Sequence, residues 1–187
     1  KKAEKPNERR FLDITTVKAP KSLKIKVTKL QWHLMVDEVT NMKFSSFHEK
    51  KSDIVEPTCV KLNKLAKIAG SIGHLRQDNA GKNLKLAKLM GSAEWKMKTK
   101  IEDTARGIPQ QNHMAELGFT TIAARTRATM NRVNIPTDMR YKMFGEIANT
   151  ISKLDMLTVI TLNGKKKTQI KHYQGTLTVH RYSVDQE

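Results

Sequence analysis

The chain has a single cysteine, Cys59, in 187 residues. That excludes an internal disulfide and any zinc site built on several cysteines, and by default points to a reducing compartment. No stretch of 18 apolar residues occurs, and no apolar segment lies near the start, so neither a membrane span nor a secretory signal is expected. Internal repeats, low-complexity tracts and Pro/Gly/Ser-rich linkers are also missing. The six histidines, His33, His48, His74, His113, His172 and His180, form no His-x3-His spacing. Acids are scarce: 18 Asp+Glu against 35 Lys+Arg give a formal net charge of +17. Such a surplus favours a polyanionic partner over a neutral small ligand, with a lysine-rich surface kept for solubility as the plain alternative.

The apolar fraction of 38% is enough for a core, and the length suits one domain or one with an appendage. After a charged lead, Arg10 to Val17 is rich in β-branched and aromatic residues and predicts a strand with Asp13 in its middle. A second strand over Leu30 to Val36 puts Trp32, Leu34 and Val36 on one face and His33 and Met35 on the other. A turn over Asp37 to Asn41 leads to a third strand over Met42 to Phe47.

Helical spacing then takes over from Pro57 to Ala69, closed by Gly70. A short strand at His74 to Gln77, a helix over Leu84 to Met90 and a strand around Trp95 to Ile101 follow. A long helix from Gln110 to Val133 presents Ala115, Phe119, Ile122, Thr126, Met130 and Val133, and Pro136 ends it. Another helix over Thr137 to Leu154 carries Met139, Met143, Phe144, Ile147 and Ile151. Asn163-Gly164 between extended runs signals a hairpin. This order predicts an α/β fold, a mixed sheet with helices packed against it. The simplest partition is a lead over 1–10, a compact domain over 11–155 and a hairpin extension over 156–187. With no initiator Met, the chain reads as a piece of something longer. Trp32, Trp95 and Cys59 are expected to be structural.

Three acids stand in unusual places: Asp13 within a strand, Asp78 where a strand ends in a turn, and Glu116 in the first turns of the long helix. A mixed sheet can bring a strand end, its neighbouring strand and a helix start together. Converging carboxylates repel, and a divalent metal is the usual remedy. Each acid also has a plain reading. Asp78 with Asn79 can form an Asx turn, Glu116 can complement the helix dipole, and a buried Asp13 needs only some partner.

Ile108-Pro109-Gln110-Gln111-Asn112-His113-Met114-Ala115-Glu116 is similar to the Thr-Pro-Gln-Gln-Asn-Gly-Val-Ala-Glu segment of copia-type retrotransposon integrases, whose Glu closes an Asp-Asp-Glu triad. Leu75-Arg76-Gln77-Asp78-Asn79-Ala80-Gly81 resembles the Leu-Arg-Ser-Asp-Asn-Gly-Gly segment carrying that family's second acid. Phe11-Leu12-Asp13-Ile14 stands where the first acid-bearing strand belongs, and Met35 to Thr40 resembles the following strand end. Between Asp13 and Asp78 lie 64 residues, and between Asp78 and Glu116 lie 37, separations compatible with that family.

The resemblance implies an RNase H-like five-stranded sheet flanked by helices and a polynucleotidyl transferase that trims DNA 3′ ends and joins them to target DNA. Asp13, Asp78 and Glu116 would be both the catalytic residues and the metal ligands, holding Mg²⁺ or Mn²⁺ with two ions per site. Implied partners are element ends and target DNA, with a homo-oligomer when active. Localisation would be nuclear or cytoplasmic, in an intracellular particle, and not secreted. Departures from the pattern spare the triad: Lys82 stands where an acid is frequent, His113 replaces Gly, and Leu117-Gly118-Phe119 replaces an Arg and an Asn-Arg pair. The family's preceding His/Cys zinc domain is missing, as a fragment of a polyprotein would explain.

Helical spacing puts Glu116, Thr120, Ala123 and Arg127 on one face. Arg125, Arg127 and Arg132, together with Gln111 and Asn112, are the expected DNA contacts, positioning phosphates without reading sequence. Two other readings stay open: a decayed, catalytically inactive integrase-like domain that binds nucleic acid through charge alone, and a ribosome-associated or RNA-packaging module.

Overall fold

The computed structural model describes residues 2–23, 29–78, 81–92, 94–104 and 112–175, with backbone alone at 78, 81–84 and 104. Three strands come first: β1 (Arg9–Lys18), β2 (Lys29–Asp37) and β3 (Lys43–His48). A 3-10 turn at Lys51–Ile54 leads into α1 (Val55–Ala69), followed by β4 (His74–Asp78), α2 (Gly81–Met90) and β5 (Lys100–Thr104). Two long helices, α3 (His113–Arg132) and α4 (Thr137–Asp155), precede a hairpin of β6 (Val159–Leu162) and β7 (Lys165–Thr168), then α5 (Gln169–Gln174).

The main sheet has five strands in the order β3-β2-β1-β4-β5. β1 runs antiparallel to β2 and parallel to β4, and β4 parallel to β5. It is the mixed α/β sheet flanked by helices that the element order predicts. Strand alternation divides the core. Leu12 and Met35 pack with Cys59, Leu62 and Leu65 of α1, Leu86 and Met90 of α2, and Tyr173 of α5. On the other face Phe11, Trp32, Leu34 and Val36 meet Ala115 and Ile122 of α3 and Ala148 of α4. Trp32 stacks on Phe47 and meets Phe119 and Phe144 edge-on, which makes it a core residue. Cys59 is buried, its thiol pushed up to about 11 by burial and by Glu94 and Glu56, so it has no reactive character at neutral pH.

Several expectations shift. The strand placed around Trp95 to Ile101 begins only at Lys100, with Trp95 and Met97 packing against the first core from a non-strand segment. Val133 caps α3 and is 61% exposed, not core. On α4 Phe144 and Ile151 pack on the second core as expected, but Met139 is exposed and the buried positions are Tyr141, Ala148, Ser152 and Asp155, because the helix also packs against the polar β3 edge, where Ser45 meets Ser152 at 2.7 Å. The glycine inside α3, Gly118, permits a close approach: a Cβ there would lie 2.7 Å from Leu34 Cδ2.

The Asn163-Gly164 turn has positive φ at both residues, 50° and 73°, as a type I′ hairpin requires. Beyond it lies α5, which the hairpin reading does not anticipate and whose start is capped by Thr168 Oγ1 accepting from the Lys171 amide. α5 carries Tyr173 into a buried polar knot. The Tyr173 hydroxyl donates to Asn7 Oδ1 at 2.6 Å, and Arg10 donates to the same oxygen through Nε at 2.9 Å and Nη2 at 2.7 Å. Asp37, fully buried, accepts from the Asn7 amide at 2.8 Å and from Thr40 N and Oγ1 at 2.9 and 2.7 Å. Residues on both sides of the expected boundary at 155 thus share one core.

Candidate active site

The parallel pairing of β1 with β4 runs Arg9↔His74, Arg10↔Leu75, Phe11↔Arg76. Continued by two residues, that register sets Asp13 level with Asp78, the last residue of β4. Asp13 is partly exposed, and alternation puts it on the same face as Phe11, the face covered by α3. Its Oδ1 accepts the Ile14 amide at 2.7 Å. On the other flank it stands opposite Leu34 of β2.

The start of α3 is fastened to this point. Asn112, at the N-cap position, is buried and its Nδ2 donates to the Leu12 carbonyl at 3.4 Å. One residue on, the His113 ring lies edge-on to Phe11, with centroids 6.1 Å apart. Ala115 is buried against the sheet, and Glu116 beside it is exposed in the first turn. The fold thereby brings the backbone positions of Asp13 and Asp78 to adjacent strands and starts the helix that bears Glu116 beside Leu12, the neighbour of Asp13.

The donor chemistry of these three residues is carboxylate oxygen only, which suits a hard divalent cation rather than a thiolate- or imidazole-seeking metal. A further oxygen, Asn112 Oδ1, is buried with no hydrogen-bond partner among the described residues, and an orphaned acceptor in that place fits a polar ligand nearby. Among the described residues no three His, Cys, Asp or Glu side chains are grouped to hold a metal ion, a search that does not reach the Asp78 side chain.

The expected arginines separate. Arg127 lies 11 residues from Glu116, about three helical turns, and is exposed on the same side. Arg125 lies 9 residues on, about two and a half turns, and so faces away from Glu116 towards α4, where Nη1 donates to Asp155 Oδ1. Lys43 Nζ takes the other oxygen of Asp155 at 2.6 Å. Burial would raise the Asp155 pKa, but the hydrogen bonds and charges of Lys43 and Arg125 outweigh it and hold the carboxyl below its ordinary range. Arg132 is exposed near the far end of α3, also turned from the Glu116 side. Gln111 lies outside the described residues.

Arg76 was not singled out by the sequence. Its guanidinium sits over the Phe11 ring, 5.5 Å from the centroid, and pairs with Glu102 Oε2 through Nη2 at 2.8 Å. Glu102 also takes Arg9 at 3.2 Å and His74 at 2.9 Å. Phe11 is therefore contacted by both Arg76 and His113 on the acid-bearing face. The Arg76 contact follows from the register of β1 against β4, and the His113 contact from the seating of α3.

No protein-family model and no curated protein sequence matches the chain. Solved structures do. The HTLV-2 integrase catalytic core domain in complex with magnesium, in its trimeric form, superposes with a TM-score of 0.59 at 18% identity, over 90% of this chain and 97% of that one. Its dimeric form gives 0.59 and 18%, over 91% and 98%. A chain of the simian T-cell lymphotropic virus intasome in complex with PP2A regulatory subunit B56 gamma gives 0.62 and 15%, over 94% of this chain. This chain spans 57% of that chain's length. The architecture is therefore the RNase H-like fold of integrase catalytic cores. At these identities the likeness concerns the fold.

Proposed function

We propose that this chain is the catalytic core of an integrase, of the copia type that its Pro109-Gln110-Gln111-Asn112 and Arg76-Gln77-Asp78-Asn79 segments resemble, and that it trims DNA 3′ ends and joins them to target DNA. What supports this reading most is the parallel register of β1 against β4, which, continued by two residues, sets Asp13 level with Asp78, together with Asn112 fastening the Glu116 helix to Leu12. Asp13, Asp78 and Glu116 would hold Mg²⁺ or Mn²⁺, two ions per site. Bound there, the metal would neutralise charge on the attacked phosphate and lower the pKa of the attacking hydroxyl or water. The protein's own part is positioning. Asp13 is held by its pairing with β2, where it stands opposite Leu34, and Glu116 by a helix whose first turn is pinned through Asn112 and Ala115. Arg127, on the Glu116 side of α3, binds a phosphate of the incoming strand.

Element ends and target DNA are the partners on this reading. The active species is a homo-oligomer in an intracellular particle, nuclear or cytoplasmic. No helix among the described residues is long and apolar enough to cross a membrane.

The test is strand transfer into plasmid DNA with Mg²⁺ or Mn²⁺, using the wild type, Asp78→Asn and Glu116→Gln. Both variants are expected to lose activity by at least about a thousandfold while keeping their thermal transitions and their DNA affinity. Activity surviving either substitution would overturn the triad. Wild-type binding that is steeply salt-dependent, with no metal-dependent joining, would instead favour a decayed domain that binds nucleic acid through charge.

A further inference from the structure

Away from the acid site, where the free edge of β3 meets α1 and α4, a cavity of about 290 Å³ opens between the two helical layers. Lys61 and Thr58 of α1, Asn149 and Lys153 of α4, and His33 and Ser46 of the sheet line it, and no acidic residue does. Neither lysine has a carboxylate partner among the described residues. The nearby Asp155 is already taken by Lys43 and Arg125.

Lys61 and Lys153 are both exposed side chains that line the cavity without a counter-charge among the described residues, and Lys61 is held in place. Lys61 Nζ stands 4.7 Å over the centroid of the Phe44 ring, a cation–π contact that fixes the ammonium at the cavity wall. Burial, and then the charges of Lys64, Arg10 and Lys153, make this ammonium easier to deprotonate than a free lysine. Positive charge gathered at a concave polar surface without an acid is a vacancy for an anion.

A neutral donor completes the set. His33 is 2% exposed, and its Nε2 has no hydrogen-bond partner among the described residues. Its Nδ1 lies 3.3 Å from Ser46 Oγ, which in turn meets His48 Nε2 at 3.0 Å. If His48 donates to Ser46, the Ser46 hydroxyl donates to His33 Nδ1, and the proton of the neutral imidazole then resides on Nε2. That buried N–H lacks an acceptor among the described residues; the His33 ring lines this cavity and also a small apolar one beside Leu12 and Leu86, and of the two only this one is polar enough to supply an acceptor.

We propose that this cavity is a phosphate-binding site, in which Lys61 and Lys153 bind the anion by charge and the Asn149 amide and the His33 N–H donate to its oxygens. The volume admits a phosphate and the start of an ester arm but not a duplex. The shared chemistry is the phosphate group, free or esterified to a mononucleotide. The site stands apart from the proposed triad and does not depend on it.

The experiment is amide NMR of the full chain titrated with inorganic phosphate, adenosine 5′-monophosphate and adenosine at constant ionic strength. Saturable shifts are expected for both phosphates at Lys61, Asn149 and Lys153, and none for adenosine. The double variant Lys61→Gln/Lys153→Gln is expected to bind at least about tenfold more weakly, with its spectrum otherwise unchanged. Equal affinity for the two phosphates assigns the site to the free anion and tighter binding of the monophosphate assigns it to the ester, and either upholds the proposal. Non-saturable shifts, equal binding of adenosine, or undiminished phosphate affinity in a folded double variant would overturn it. His33→Gln, which keeps a donor, is expected to bind more tightly than His33→Leu.

Discussion

A Cβ on Gly73 would stand 2.8 Å from the carbonyl oxygen of Glu8. That oxygen accepts the His74 amide at 2.9 Å, and the Gly73 amide donates to Asn7 O at 3.0 Å. The two residues close the start of the parallel β1–β4 ladder, and every later pair in its register depends on that closure. Gly73→Ala must push backbone away from backbone. It is expected to cost about 1–3 kcal/mol and to lower strand-transfer activity out of proportion to any loss of DNA affinity. Urea denaturation alongside a joining assay checks this, and an unchanged midpoint would contradict it.

Tyr173 reaches Asn7 and Arg10 from the far end of the chain. Tyr173→Phe leaves a fully buried guanidinium one acceptor short and is expected to destabilise by about 1–3 kcal/mol. A chain ended at residue 155 loses the whole side chain and is expected to lose about 3–5 kcal/mol or fail to fold cooperatively. Equal stability of the shortened and full chains, measured by chemical denaturation, would show 156–187 to be a separate appendage.

Stability is expected to fall on mild acidification. Burial, reinforced by His48, lowers the His33 pKa to about 3, from an ordinary 6.5 when unfolded. Between those values the unfolded chain binds a proton that the folded chain refuses. The stability His33 allows at pH 7 is therefore lost as pH drops below 6.5, at up to about 1.4 kcal/mol per unit. His48 is lowered too, chiefly by burial with Asp53 opposing, and adds in the same direction. The check is the slope of unfolding free energy between pH 7 and 5 in wild type and His33→Gln. The variant should show a shallower slope, and equal slopes would refute the assignment.

The arginines of α3 should divide by face. Arg127→Ala is expected to weaken DNA binding and to reduce the slope of log affinity against log salt by about 1, leaving stability within about 0.5 kcal/mol. Arg125→Ala should act mainly on the fold, because it removes one of two cations from the buried Asp155 carboxylate. Filter binding across a salt series, with denaturation in parallel, separates the two. A larger salt-slope change for Arg125→Ala would reverse the assignment.

Much of the fold was legible because its signals are local. Alternation sorted Trp32, Leu34 and Val36 from His33 and Met35, and Asn163-Gly164 announced its turn. What escaped depends on distant partners. Nothing near Asp37 or Tyr173 in sequence says that Asn7 and Arg10 will bind them. The face of α4 is legible only in part: Phe144 and Ile151 pack on the core as the spacing predicts, but the helix also packs on serines and a lysine of β3, which apolar spacing does not reveal. Of the site, the three acids and Asn112 were visible as motif positions. Arg76 over Phe11 was not, since it follows only from which residues the ladder sets side by side.

The β1–β4 register also makes the proposed site a matter of parity. An insertion of one residue between Phe11 and Asp13 would send the carboxylate through the sheet into the layer of Leu12 and Cys59. An insertion of two would return it to the α3 face, displaced along the strand from Asp78 by about 7 Å. Length changes in that strand should therefore be forbidden when odd and merely damaging when even. A library of β1 insertions scored for joining activity would show the alternation directly.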